Sequence, residues 1–398
     1  MNRICIIGAG ISGLSIASKK IKSNRTVKVF ESGERIGGVI GSQKIDGYLL
    51  DYGANTLNIR LKSTKELLKA SGAWDDCIDA NLLSSKRMIV RGGKIVDLPH
   101  SFFSFLTSPF LSFKGKLRLL AEPFVSRSTE PQYESVASFI KRRLGQEALD
   151  YAANPFLAGI YAAKPESLIL NQAFPKFAEL EKKYRSILLG LKKSRKLPDN
   201  PNLGKSRLVS FPNGMEGLSE KLGDFLKNEI SLSTTVKKVT RNNSTWTVTV
   251  QKGTGEQIVN EFDQVISTVP SHKLDCIEWQ NIKDHKKLSV LASSTHHPLA
   301  MVYLGYRRED ILHPLDGFGF LVPEVEKLKI LGTLFSSTLF PGRAPDGKIL
   351  LTTFIGGERD PSLARQKDNM LISTAKEELN KLLKISGEPT FEKVKKWP

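Results

Sequence analysis

The clearest capacity for chemistry in this chain lies with Gly8, Gly10 and Gly13, spaced as G-x-G-x-x-G, and with the acid Glu31. Each suits one task at a nucleotide. Gly8 permits a tight turn, Gly10 lets backbone approach a pyrophosphate, and Gly13 allows a helix to pack closely on the preceding strand. The helix N-terminus beyond them offers free N–H groups and the positive end of the helix dipole. A carboxylate at Glu31 suits a ribose hydroxyl. Glycine spacing alone is a weak signal, so the flanking elements decide its meaning. The run Ile4-Cys5-Ile6-Ile7 reads as a strand, Leu14, Ala17 and Ile21 mark one face of a helix, and TVKVFES reads as a second strand ending on the acid. That order predicts a bound adenine dinucleotide.

Other chemistries find little support. The 398 residues contain three cysteines, Cys5, Cys77 and Cys276, without paired spacing, which argues against a disulfide framework and against zinc. Among six histidines only His296 and His297 are adjacent, and neighbours in a strand point to opposite faces, so no metal site is expected. The apolar stretch after Met1-Asn2-Arg3 is better explained by the glycine turn than by a signal peptide, and no run of eighteen apolar residues predicts a transmembrane helix. A formal charge of +18 is spread along the chain without a nucleic-acid module, which favours a solvated surface.

The elements that must position the turn follow from length and periodicity. A chain of this size predicts two or three domains. Gly37-Gly38 and Gly53 extend the close backbone approach beyond the first turn, 63–80 reads as helix, and RMIVRGGKIVDLP as a hairpin turning at Gly92-Gly93. The stretch from Phe102 to Phe124 holds six of the 20 Phe residues around Lys114, Lys116 and Arg118, a composition that suits a membrane interface and a helical core layer equally. ESVASFIKRRLG is a helix with Val136, Phe139, Ile140 and Leu144 on one face, and a second helix runs toward Pro155. KKSRKLPDNPNLGKSR reads as a basic linker between domains, and FPNGMEGLSEKLGDFLKN as a turn and a helix with Leu218, Leu222, Phe225 and Leu226 at helical spacing. VKKVT, WTVTV and QVISTVP are expected to return to the first sheet, and 299–356 to supply a further set of strands.

Beyond these patterns the chain resembles the flavin-dependent protoporphyrinogen oxidase family of haem biosynthesis, within the amine oxidase-like flavoproteins. GAGISG, Glu31, ERIGG and DYGANTL carry the superfamily likeness. ESVASFIKRRLG, NPFLAGIYAAKPESL, FPKFAELEKKYRSILLGL, GFGFLVP, LFPGRAP and FIGG carry the family likeness, which spans nearly the whole chain. The resemblance implies a mixed α/β and α+β fold: a Rossmann-like FAD-binding domain built from 1–62 and 206–275, a helical membrane-associated domain at 100–205, and a substrate-binding sheet domain at 80–99 and 276–398. It implies FAD contacts from Gly8, Ala9, Gly10, Ile11, Ser12, Gly13, Glu31 and Ser32, with Val39, Gly53, Ala54, Asn55 and Thr56 beside the flavin and Val236 near adenine. Arg87 would face a substrate propionate, and Gly159, Phe318, Gly319, Leu321 and Phe354 would line the tetrapyrrole pocket. No general base or metal is implied.

The implied reaction is oxidation of protoporphyrinogen IX to protoporphyrin IX by FAD and dioxygen, with hydrogen peroxide as product. The alternatives are coproporphyrinogen III oxidation and a truncated, non-catalytic porphyrin- or membrane-binding protein. Expected partners are the porphyrinogen and dioxygen, with room for peripheral contact with an anionic membrane and for a homodimer, and no nucleic acid. The expected location is the cytoplasm, with contact at the inner face of the plasma membrane. Two departures stand out. Ala163 and Lys164 occupy places where the family carries a glycine and an acid, and the chain ends at Pro398 before the glycine-rich segment in which family members return to the flavin.

Overall fold

The computed structural model describes residues 3–128, 132–194, 203–253, 255–283 and 285–398. The chain forms two compact units, one from Met1–Ile45, Leu49–Ala80 and Pro201–His296, the other from Asp46–Tyr48, Asn81–Asn200 and His297–Pro398.

The first unit is organised by β1 (Arg3–Ile7), α1 (Ile11–Lys22) and β2 (Thr26–Phe30). Its parallel sheet has the order Ile230–Ser231, β2, β1, Gln264–Ser267. A parallel sheet must be covered on both faces, so its strands read as apolar runs. Ile4, Ile6, Val27 and Val29 pack with Leu14 and Ala17 of α1 and with Leu218 and Leu222 of the helix Glu216–Phe225. Cys5, Ile7 and Phe30 face the other way, against Val236, Val239, Val248 and Val250 of an antiparallel sheet. Burial pushes the Cys5 thiol up to about 12, which removes it as a nucleophile.

Several expectations are corrected here. The helix beginning at Lys62 stops at Ala70, because Gly72 turns the chain at φ +73°, and Ile78–Asp79 is a strand instead. The strands VKKVT and WTVTV form their own antiparallel sheet, and of that block only Gln264–Ser267 joins β1. Phe225 is exposed, unlike Leu218, Leu222 and Leu226. Of the expected linker, 195–202 lies outside the described residues, while Leu203–Ser210 is a strand that enters the core at Val209.

The second unit holds a seven-stranded sheet in the order Phe391–Trp397, Leu299–Arg307, Lys348–Gly356, Gly332–Phe335, Gly319–Leu321, Met88–Arg91, Lys94–Asp97. One face is closed by Leu371, Ala375, Leu379 and Leu383 of the helix Asp368–Leu383, which pack on Val302, Leu304, Phe320 and Leu351. The hairpin turns at Gly92 and Gly93 with φ +58° and +70°, the two left-handed residues that a type I′ turn needs. Val136, Phe139 and Ile140 bury with Leu149, Leu157, Leu170 and Leu180 in a helical cluster. Pro155 does not end its helix; it sits in the first turn of Asn154–Tyr161, directly after the π-helical turn Leu149–Ala153. Among the described residues no helix is long and apolar enough to cross a membrane.

Candidate functional site

The glycine turn is built as its spacing predicts. Gly8 adopts φ +100° and donates its N–H to Phe30 O at 2.8 Å. A Cβ on Gly13 would lie 2.0 Å from the Gly8 carbonyl oxygen, so only glycine lets α1 sit this close to β1. At Gly10 the nearest atom to a Cβ is the Gly38 Cα at 3.9 Å. The space over Gly10 is therefore open, and no side chain caps the N–H groups of α1.

Glu31 accepts the Ala9 N–H at 2.7 Å and the Gly33 N–H at 2.8 Å, which fixes the carboxylate at the end of β2 with lone pairs left for a hydroxyl. The Ser32 hydroxyl reaches Glu31 at 3.4 Å, and Ile11 and Ser12 open α1. The Gly37 N–H donates to Ala9 O at 2.8 Å, bringing the ERIGG loop against the turn, and Val39 stands 58% exposed beside it. Gly53 meets the Val39 carbonyl, so this glycine serves contact of backbone with backbone; Ala54, Asn55 and Thr56 follow it, with the Asn55 amide donating to Gly53 O. Val236 has a buried side chain, and the strand register slips between Val236 and Lys238.

Two residues missed in the sequence hold this arrangement. The Arg35 guanidinium donates to Gly38 O at 2.7 Å and Ile40 O at 2.9 Å, clamping the loop. The Thr268 hydroxyl donates to Ile7 O at 2.8 Å. Arg35 lies inside ERIGG and was visible as a motif member; Thr268 comes from a distant strand with no local signal. An open cradle over Gly10, uncapped N–H groups and a fixed acid at the end of β2 fit a dinucleotide.

The second unit gathers most of the expected substrate residues on one face of its sheet. Phe320 belongs to the core against the long helix, so Gly319 and Leu321 point to the opposite face. Across three strand pairs Leu321 lies opposite Gly332, Gly332 opposite Phe354, and Phe354 opposite Met301. A Cβ on Gly332 would lie 2.6 Å from Phe320 O and 3.2 Å from Leu321 Cδ2, so the strands leave room only for glycine there. Gly159 packs over Leu321, whose Cδ2 would be 2.7 Å from a Cβ there. Gly319 adopts φ +133°, and its Cβ would meet Thr333 O at 2.0 Å. Arg87 directly precedes the strand Met88–Arg91 rather than lying within it, and its guanidinium carbon is 3.7 Å from the Phe318 ring centroid. No carboxylate pairs with Arg87 among the described residues, whereas neighbouring Lys86 is held by Asp97 at 3.2 Å and Asp316 at 2.9 Å. Lys164 is accommodated by an ion pair with Glu324 at 3.1 Å, and its N–H donates to Glu358 at 2.6 Å.

This fold and glycine turn belong with a known class. The chain matches the flavin-containing amine oxidoreductase family over residues 11–398, and it belongs to that family. It is an oxidoreductase whose cofactor is FAD. At closer range it is 33% identical to a mitochondrial protoporphyrinogen oxidase of Nicotiana tabacum, covering 98% of this chain and 82% of that one. It is 28% identical to a coproporphyrinogen III oxidase of Bacillus subtilis, covering 99% and 86%. The solved cyclohexylamine oxidase of Brevibacterium oxydans shares the fold, with a TM-score of 0.68 at 16% identity over 100% of this chain and 84% of that one. Membership in an oxidoreductase family overturns the non-catalytic alternative.

Proposed function

We propose that this chain oxidises protoporphyrinogen IX to protoporphyrin IX, with dioxygen as acceptor and hydrogen peroxide as product. The observation that carries the reading is Arg87, an unpaired guanidinium stacked on Phe318. It suits a carboxylate on an otherwise apolar ring system, for which the row Leu321, Gly332, Phe354 offers an apolar surface. Bound FAD supplies the redox chemistry by taking up two electrons per cycle. The protein's own residues bind and orient the macrocycle: Arg87 holds a propionate, and Gly159, Leu321 and Phe354 shape the surface for its body. Coproporphyrinogen III, with four propionates, is the competing substrate, favoured by the likeness to the Bacillus enzyme and disfavoured by the higher identity to the tobacco one.

Turnover of both porphyrinogens by the purified protein tests the assignment, with protoporphyrinogen IX expected to be the better substrate. Arg87→Ala is expected to raise KM about tenfold or more, from the loss of about 1.5 to 3 kcal/mol in a charge-assisted hydrogen bond, with flavin content unchanged. Equal constants in variant and parent would remove Arg87 from the site.

Peripheral membrane contact is part of the same proposal. Phe103, Phe113 and Phe124 are 76%, 75% and 91% exposed, while Phe110 is buried, so the Phe-rich stretch divides between surface and core. Lys116 Nζ donates to Leu106 O and Ser108 O, and Arg118 to the Arg142 and Arg143 carbonyls, which leaves Lys114 as the basic residue free for lipid. Cosedimentation with anionic vesicles is therefore expected to fall more in a Phe113→Ser, Phe124→Ser double variant than in Lys114→Gln, since one surface cation contributes about 1 kcal/mol and each buried Phe about 1.5 to 3 kcal/mol. A protein that never sediments at low salt would reject the contact.

A further inference from the structure

We propose a second ligand site in the first unit, a cleft between β2 and the antiparallel sheet that takes an aromatic dianion. Strand alternation fixes which side chains face it. Ile4, Ile6, Val27 and Val29 serve the helical side, so Arg3, Thr26, Lys28 and Phe30 point to the antiparallel sheet. On that sheet Val248 and Val250 face inward, which places Lys252 on the same side of its strand; the pairs Val248 with Asn260 and Val250 with Ile258 bring those residues to the same face.

The middle of this layer is apolar and closed, through Cys5, Ile7, Val239 and Val248. At the β2 edge its character changes. A cavity of about 550 Å³ opens there, with Arg3, Lys28 and Lys252 among its lining residues and no acid among them. Arg3 and Lys252 are exposed at its mouth and Lys28 is half-buried within it. Lys28 and Lys252 form no ion pair among the described residues, and the Asn260 amide has no partner. The nearby carboxylate of Asp263 accepts the Arg3 backbone N–H at 2.6 Å, and the Arg3 guanidinium carbon lies 5.4 Å from the Phe262 ring centroid.

Arg3 and Lys28 on one wall face Lys252 on the other, beside the buried rings of Phe30 and Phe262, which meet edge to face at 6.2 Å between centroids; this suits a ligand with an apolar body and a doubly negative head. A phosphate monoester and a pair of adjacent carboxylates share that chemistry. The Arg3 end of the cleft lies about 16 Å from Gly8 at the rise of a parallel strand, while its Thr234 end adjoins the fixed acid, the Thr234 N–H donating to Glu31 O at 2.8 Å, so the site is tested with FAD already bound.

Calorimetric titration of the FAD-loaded protein with 1-naphthyl phosphate and with 2,3-naphthalenedicarboxylate tests the site. One saturable site is expected, tighter at low salt, weakened about tenfold or more by Lys28→Gln and by Lys252→Gln, and unaffected by Lys19→Gln on the exposed end of α1. The tighter of the two probes identifies the head group. Flavin absorbance per protein equal to the parent's shows that each variant is folded; should Lys28→Gln not fold, Lys252→Gln at the exposed strand end carries the same test. No saturable binding of either probe, or equal affinity in all variants, overturns the proposal.

Discussion

Gly10→Val is expected to yield a folded protein without bound FAD. Gly10 has φ −70° and ψ 174°, an extended conformation open to any residue, and its Cβ would meet nothing closer than the Gly38 Cα at 3.9 Å. The fold therefore tolerates the side chain. The added branches instead fill the space through which a pyrophosphate must approach the N–H groups at the start of α1. Losing two charge-assisted hydrogen bonds costs about 3 to 6 kcal/mol, roughly a hundredfold to ten-thousandfold in affinity. Gly13→Val makes the contrast, because its Cβ would overlap the Gly8 carbonyl at 2.0 Å and force α1 away from β1. That variant is expected to lose thermal stability as well as flavin. Flavin absorbance per protein, measured beside the melting temperature of the flavin-free form, separates the two effects. Parental flavin occupancy in Gly10→Val would show that the pyrophosphate does not lie over this glycine.

The contrast between these glycines marks what a sequence can reveal. Gly8, Gly13 and Glu31 were legible because their roles are local, set by a turn, a helix and the end of the next strand. The hairpin at Gly92-Gly93 and the helix Val136–Leu144 were legible for the same reason. Where structure depends on distant partners, local pattern gave no signal. The strand Leu203–Ser210 looked like linker because its first half is basic and exposed, yet Leu57–Leu61 and Ile78–Asp79 pair with it. The close contact of Gly332 with the neighbouring strand gave no local signal, since it arises only through cross-strand register with Leu321. Nothing local in ESVASFIKRRLG singles out Arg143, which the structure places in the core.

Arg143→Met is accordingly expected to be among the most destabilising single changes in the second unit. Arg143 and Glu122 are both fully buried and pair at 2.6 Å, and Arg143 Nη1 also donates to Val125 O at 2.7 Å. Glu122 in turn accepts the Ile187 N–H at 2.9 Å, the Leu188 N–H at 3.2 Å and the Ser186 hydroxyl, so it caps the helix Ile187–Ser194. Removing the guanidinium leaves a buried carboxylate short of its cation and takes a donor from two carbonyls, a loss of about 3 to 5 kcal/mol. Arg143→Lys is expected to recover only part of this, because a single ammonium cannot reproduce the planar fork that reaches Glu122 and two carbonyls at once. Adding Glu122→Gln to Arg143→Met removes the stranded charge and is expected to restore some stability, so the two changes are strongly non-additive. Urea unfolding of the parent, Arg143→Met, Glu122→Gln and the double variant gives the coupling, and hydrogen exchange along Ile187–Ser194 reports the cap directly. A loss below about 1 kcal/mol in Arg143→Met would mean that water replaces the guanidinium and that the pair does not hold these helices together.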